Sequence, residues 1–221
     1  MPGILTQVRQ AGVKHVVLLS SIAIANGSLD NAITRMMAES EAAVRDAGVP
    51  WTILRPSGLM SNTFDWTAQL AASDVVEAPF LDVPVAMIDP HDIAVVAARV
   101  LLDAYHFGLA HALSGPEPLR PQDRVDTLAR VLGGKLQFRN LSHEEARARM
   151  EATVLPQYID AFFRYYADGE LDDSVAGPPC TRCWDEPRVP FTNGQPHTPK
   201  HSAGPGISRP IESAAASHAT V

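Results

Sequence analysis

Four residues near the end of the chain have the spacing of a metal site. Cys180-x2-Cys183-x13-His197-x3-His201 fits the loose pattern of a two-Cys, two-His zinc finger, in which two thiolates and two imidazoles close a tetrahedron. A finger sets its histidines on a helix, however, and Pro196 and Pro199 oppose one. Phe191 stands alone in a polar, proline-rich run, so the spacing is read as a chance match and no metal is expected. Asp89 and Asp92 are two carboxylates in one short segment, a pattern that acid–base chemistry can use. Asp89 fits better as the cap of a following helix, with Pro90 in its first turn and Asp92 near its positive end. His15, His106, His111 and His143 show no mutual spacing that suggests a metal or a proton relay. Two polar segments remain, each ending an apolar run: Ser20-Ser21 after V-V-L-L, and Pro56-Ser57-Gly58-Leu59 after W-T-I-L-R.

The elements that position these segments follow from period and punctuation. Ile4 to Gln10 has weak helical character and stops at Gly12. Val16 to Leu19 is apolar on both faces, as a parallel strand covered on both sides should be. Asn31 to Asp46 places Ile33, Met36, Met37, Ala43 and Val44 at helical spacing and closes at Gly48. Pro50 then precedes a second buried strand, Trp51 to Leu54. Strand, crossover helix and strand make a βαβ unit, and the chain reads as α/β. Further on, strands are expected at Val85–Ile88, Ala110–Leu113 and Leu136–Arg139, and helices at His91–Tyr105, Pro121–Leu132, Ser142–Met150 and Pro156–Tyr166. Ser142 and Glu145 form a capping box. Trp51 and the aromatic run Phe162 to Tyr166 are read as core.

A length of 221 residues allows a sizeable core, and a formal charge of −7 with dispersed Lys and Arg argues against nucleic acid. Met1-Pro2-Gly3 leads into polar residues, not an apolar leader. The apolar run Ile93–Leu102 is interrupted by Arg99 and too short to span a bilayer, so no membrane partner is expected and the cytoplasm is the assigned compartment. Both cysteines fall near the C-terminus, which leaves the body without a disulfide. After about Ser174 the chain is proline-dense and aperiodic, giving a folded unit over 1–174 and a disordered tail over 175–221.

Three segments, A-G-V-K-H-V-V-L-L-S-S (11–21), E-A-A-V-R-D-A-G-V-P-W-T-I-L-R-P-S-G-L-M-S-N (41–62) and I-D-P-H-D-I-A (88–94), together resemble NmrA-like proteins. L-S-G-P-E-P-L (113–119) and V-L-G-G-K-L-Q-F (131–138) continue the likeness, which covers about residues 3–174. These are atypical short-chain dehydrogenases/reductases, many of them NAD(P)H-dependent quinone or azo reductases. The resemblance implies the C-terminal part of a Rossmann-like parallel-sheet domain with a small α+β substrate-side region, NADP or NAD as cofactor, and a small-molecule substrate. It places Ser20 and Ser21 as catalytic candidates facing the nicotinamide or the acceptor. It places Pro56, Ser57, Gly58 and Leu59, together with Ser20, beside the ring, since ligands lie at the carboxyl ends of such strands.

The departures from the family pattern carry their own expectations. Typical superfamily members set a Tyr and a Lys four apart on the crossover helix, where Lys lowers the Tyr pKa for proton donation. This helix has neither, and Met37 occupies the cofactor-side position where related sequences usually have Lys or His. Hydride transfer without a dedicated acid is one expectation; a non-catalytic NAD(P) sensor is the alternative. The family's glycine-rich turn and first strands have no counterpart before Val16, which predicts weak cofactor binding and an apolar sheet edge. In a shifted frame, taking the third base of each codon with the first two of the next, Pro179 to Ala203 can encode V-x-x-V-x-G-R-x-P-R-T-F-x-x-W-A, the family's usual ending. The tail is therefore read as frame-shifted, and a damaged gene copy stands as a third reading.

Overall fold

The computed structural model describes residues 2–175. The cysteine–histidine spacing and the frame-shift reading lie outside them. Helix α1 (Pro2–Gln10) leads to strand β1 (Val16–Leu19), followed by a single turn, α2 (Ala23–Asn26), and the long α3 (Ala32–Arg45). Strand β2 (Trp51–Pro56) runs parallel to β1, with Val16 opposite Trp51 and Leu19 opposite Leu54. A 3-10 stretch (Met60–Trp66), α4 (Thr67–Ala72) and β3 (Val75–Ala78) come next. Then follow α5 (Pro90–Leu102), β4 (Ala110–Leu113), α6 (Pro121–Leu132), β5 (Gln137–Asn140), α7 (His143–Met150) and α8 (Pro156–Tyr166). Two parallel sheets result, one in the order β1-β2-β4 and one pairing β3 with β5.

The expected βαβ unit is present, and its alternation decides which helix covers which face. Val17 and Leu54 pack with Ile93, Val96 and Val100 of α5, whereas Val16, Leu18 and Trp51 pack with Leu5 of α1 and Val44 of α3. The four-residue run V-V-L-L is less covered than its composition suggests. β1 is the edge of its sheet, and Leu19 is 53% exposed.

Helix α3 starts where Asn31 caps it, accepting from the Ile33 and Thr34 amides. The same fully buried Asn31 donates through Nδ2 to the Ala161 carbonyl (2.9 Å) and to Glu170 (3.1 Å), so one cap also fastens α3 to α8. Asp89 caps α5 as expected, its carboxylate accepting from the His91 amide, with Pro90 in the first turn. Phe163 and Tyr165 are core residues; Phe162, Tyr166 and Trp51 are half-buried.

Several elements differ from the sequence expectation: β2 runs on through Arg55 and Pro56, α5 ends at Leu102 and not Tyr105, the 3-10 stretch and α4 carry no sequence signal, and two segments exchange strand character. Val85–Ile88 is buried but forms no ladder, only isolated bridges from Val85 to Leu119 and from Ile88 to Leu59. Its backbone bonds go to separate segments: the Ala86 amide to Asp173, the Ile88 amide to Gly58, and the Ala86 carbonyl to the Gly115 amide. A segment shared among three partners is as apolar as a strand without being one. Conversely, β3 lies inside a stretch with no strand signal, and its four residues gain order from register with β5, Val75 opposite Gln137. Gly115 is needed because a side-chain carbon there would overlap the Met87 carbonyl oxygen. Gly115→Ala should therefore destabilise the fold by about 2–3 kcal/mol, read from the urea midpoint.

Candidate active site at the carboxyl ends of the strands

Strands β1, β2 and β4 end side by side, and the segments leaving them are stitched together by backbone bonds. The Ser20 amide donates to the Leu54 carbonyl (2.7 Å), the Ile22 amide to Pro56 (3.0 Å), and the Ser57 amide to Leu113 (2.8 Å). Ser20-Ser21 and Pro56–Leu59, distant in sequence, thus form one rim.

The two serines differ in what their hydroxyls do. Ser20 is buried, and its Oγ donates to Glu41 Oε1 at 2.7 Å. Ser21 is half-buried, and its Oγ accepts from the Ala23 amide at 3.2 Å, which leaves its own proton for another acceptor. Glu41 lies fully buried on α3 and takes a bidentate clamp from Arg55 of β2 (2.9 and 2.7 Å) and a bond from Arg45 (2.6 Å). Burial pushes the Glu41 carboxyl up, but the bonds from Arg55, Ser20 and Arg45 outweigh it and hold the group below its ordinary value. Glu41 therefore stays ionised, and Ser20 is one of its four fixed contacts.

At the second segment, Ser57 donates its hydroxyl to the Ala86 carbonyl. The Gly58 amide donates to Asp173 Oδ2 (3.1 Å), and its carbonyl accepts from Ile88. Among the described residues the Leu59 amide finds no protein acceptor and the Ser57 carbonyl no protein donor. Those two groups have the chemistry to receive a carboxamide, one donating to its oxygen and one accepting from its nitrogen. Met37 is half-buried on α3 and supplies no hydrogen-bond donor. The described residues thus fit the nicotinamide side of a dinucleotide. A glycine-rich strand-to-helix turn for its pyrophosphate is not among them.

Three residues at this rim carry no readable mark in the sequence. Asp173 is buried, accepts from the Gly58 amide through Oδ2, and has an Oδ1 without a partner among the described residues. Burial raises its pKa to about 7 against the Gly58 bond, so it holds a proton near neutrality. Burial likewise raises the Tyr166 phenol. Arg124 of α6 stacks 4.9 Å from the Trp66 ring centroid and donates to Met87 Sδ. Glu41 had one sequence signal, its i, i+4 spacing to Arg45.

The histidines are also closer than their spacing indicates. At the opposite, amino end of the sheet His106 Nδ1 and His111 Nε2 lie 3.1 Å apart, and Thr52 bridges His15 to the His106 carbonyl. Burial lowers the pKa of His15 and of His111. No metal-holding group of three His, Cys, Asp or Glu occurs among the described residues.

Residues 1–104 match a family described as NAD(P)H-binding. A (4-alkanoyl-5-oxo-2,5-dihydrofuran-3-yl)methyl phosphate reductase of Streptomyces griseus is 42% identical over 154 residues, 70% of this chain and 55% of that protein. An NAD(P)H azoreductase of Xenophilus azovorans is 27% identical over 165 residues, 74% of this chain and 57% of that one. The chain therefore spans a little over half the length of these curated relatives. An NADPH-dependent quinone oxidoreductase from Escherichia coli, solved with NADPH, superposes with TM-score 0.66 at 20% identity, covering 87% of this chain and 68% of that one. A Citrobacter triphenylmethane reductase solved with NADP(H) gives TM-score 0.68, also at 20% identity, covering 86% and 67%. The solved structures share a Rossmann-like fold with this chain, and the family matched over residues 1–104 is NAD(P)H-binding. No helix among the described residues is long and apolar enough to cross a membrane.

Proposed function

We propose that this chain carries the nicotinamide and substrate side of an NAD(P)H-dependent reductase of NmrA-like type, acting on a small electrophile such as a quinone or another conjugated carbonyl compound. The observation that carries the reading is the single rim on which the Ser21 hydroxyl, the Ser57–Leu59 backbone and the Asp173 carboxyl meet. The cofactor, when bound, supplies a hydride. Ser21 donates its free hydroxyl proton toward the acceptor oxygen, which stabilises the negative charge that reduction places there. Asp173 supplies the proton that completes the reduction; in place of the absent Tyr and Lys, it is an acid that holds a proton near pH 7. The Ser57 carbonyl and Leu59 amide orient the ring's amide, beside Pro56 and Gly58. Ser20 positions this rim through Glu41.

The two serines are separable by experiment. Ser21→Ala should lower kcat for NADPH oxidation with a neutral quinone by roughly 100- to 1,000-fold, the scale for one lost oxyanion donor, with KM little changed. Ser20→Ala should leave kcat within about threefold and lower the melting temperature instead, because it strips one bond from a buried carboxylate. Equal loss of kcat in both variants, or loss only in Ser20→Ala, contradicts the assignment.

A further inference from the structure

Among the described residues the half-buried arginines Arg55, Arg147 and Arg164 each meet a carboxylate, and Arg124 does not. Elsewhere Arg45 and Arg55 meet Glu41, Arg139 and Arg149 meet Glu77, Arg147 meets Asp160 and Arg164 meets Glu170. Among the described residues Arg124 forms no ion pair. Its neighbours are the Trp66 ring, the Met87 sulfur and the Tyr166 phenol, and its Nε is buried without a partner. Burial with so little compensation lowers its pKa to about 10. An aromatic face and a thioether are weak partners for a desolvated guanidinium.

The location ties this cation to the reductase rim. Met87, which accepts from Arg124, lies 3.8 Å from the position a Gly58 side-chain carbon would take, and Asp173 lies 3.6 Å from it on another side. The Tyr166 phenol is electrostatically linked to both Asp173 and Arg124.

We propose that Arg124 is the anion anchor of the substrate site and that the molecule reduced here carries a phosphate monoester. This rests on the reductase reading above. A guanidinium presents a planar fork that matches two phosphate oxygens at once, and a dianionic ester offsets the desolvation that Trp66 and Met87 leave uncompensated. The Streptomyces griseus relative is named for a methyl phosphate substrate. Trp66 holds the guanidinium plane in place, so the fork is oriented before the anion arrives.

The first test uses inorganic phosphate and the full 221-residue chain, without NADPH. Phosphate should raise the melting temperature of the wild type by several degrees above chloride at equal ionic strength. Arg124→Met should abolish that response while melting at the same or a higher temperature, since it removes an unpaired buried charge. If wild type and Arg124→Met respond alike, the proposal is overturned. As a readout that needs no variant fold, the Arg124 Nε–H resonance of the wild type should shift on phosphate addition; an unmoved resonance also overturns it.

The anion's source is then separated by two further arms. NADPH affinity should be the same in wild type and Arg124→Met; a tenfold loss assigns the anion to the cofactor and overturns the proposal. Arg124→Met should raise KM about 50-fold more for a (4-alkanoyl-5-oxo-2,5-dihydrofuran-3-yl)methyl phosphate than for menadione, a neutral quinone; an equal change for both overturns the proposal. Because the phosphate titration contains no cofactor, absence of NADPH oxidation with menadione counts against the reductase reading alone.

Discussion

Glu41→Ala should destabilise the protein by about 3–5 kcal/mol, the scale for breaking a buried ion pair from one side. Glu41 is fully buried and accepts from Arg55 twice, from Arg45 and from Ser20. Alanine removes all four acceptor contacts and leaves the Arg55 guanidinium, half-buried on β2, without its counter-charge. At this chain length the loss corresponds to a fall in melting temperature of roughly 10 °C. Glu41→Gln keeps the shape and loses the charge, so it should fall between wild type and alanine. The sign of the pH effect follows from the direction of the shift: Glu41 is held below its ordinary value. Its contribution is present above about pH 4 and lost as pH falls through the lower folded value. Urea titrations of the three proteins at neutral and acid pH check both statements.

Asp173→Asn should act in the opposite direction on stability and against catalysis. Asp173 has a folded pKa of about 7, raised mainly by burial, against an unfolded value of about 3.9. Between these values the folded state binds a proton that the unfolded state has released, so wild-type stability declines as pH rises from about 4 to 7. The difference of about three units sets an upper bound near 4 kcal/mol on that decline. Asparagine keeps an acceptor for the Gly58 amide and cannot ionise. The variant should therefore melt several degrees above wild type at pH 8 and match it near pH 4. Its reductase activity should drop, and the fall of wild-type kcat through pH 7 should vanish with the acid. A parallel pH–stability slope in wild type and Asp173→Asn contradicts the assignment.

The parts of this molecule that are legible in sequence are those set by local rules. V-V-L-L, the period of α3, Gly48 and W-T-I-L carry the βαβ unit, and Asp89-Pro90 and Ser142-x-x-Glu145 mark helix starts that the caps bear out. The illegible parts depend on partners far along the chain. Val85–Ile88 looks like a strand because it is buried, yet its backbone partners come from three segments. Glu39 and Glu41 look alike in sequence. Only Glu41 faces Arg55, fourteen residues on and across the β1–β2 rim. Asp173 reaches Gly58 over 115 positions, and Arg124 reaches Met87 over 37. The serine pair was readable as a strand end; that its two hydroxyls have different fates follows only from Glu41 and Ala23.

Packing then explains why the substrate side stands beside the sheet. Leu171 and Tyr165 join Ala23 in one apolar cluster, and Asn31 ties α3 to α8, so the segment bearing Asp173 is held against the loop that follows β1.

The central claim is that the reduced nicotinamide and its acceptor lie on the rim formed by Ser20–Ile22 and Ser57–Leu59. The most direct measurement is an amide chemical-shift titration of the chain with NADPH. Saturable shifts concentrated at Ser21, Ile22, Gly58 and Leu59, lost from Gly58 when Asp173 is replaced, are the predicted result. Shifts confined to the amino end of the sheet near His15 and His106, with the rim unmoved, would contradict the account.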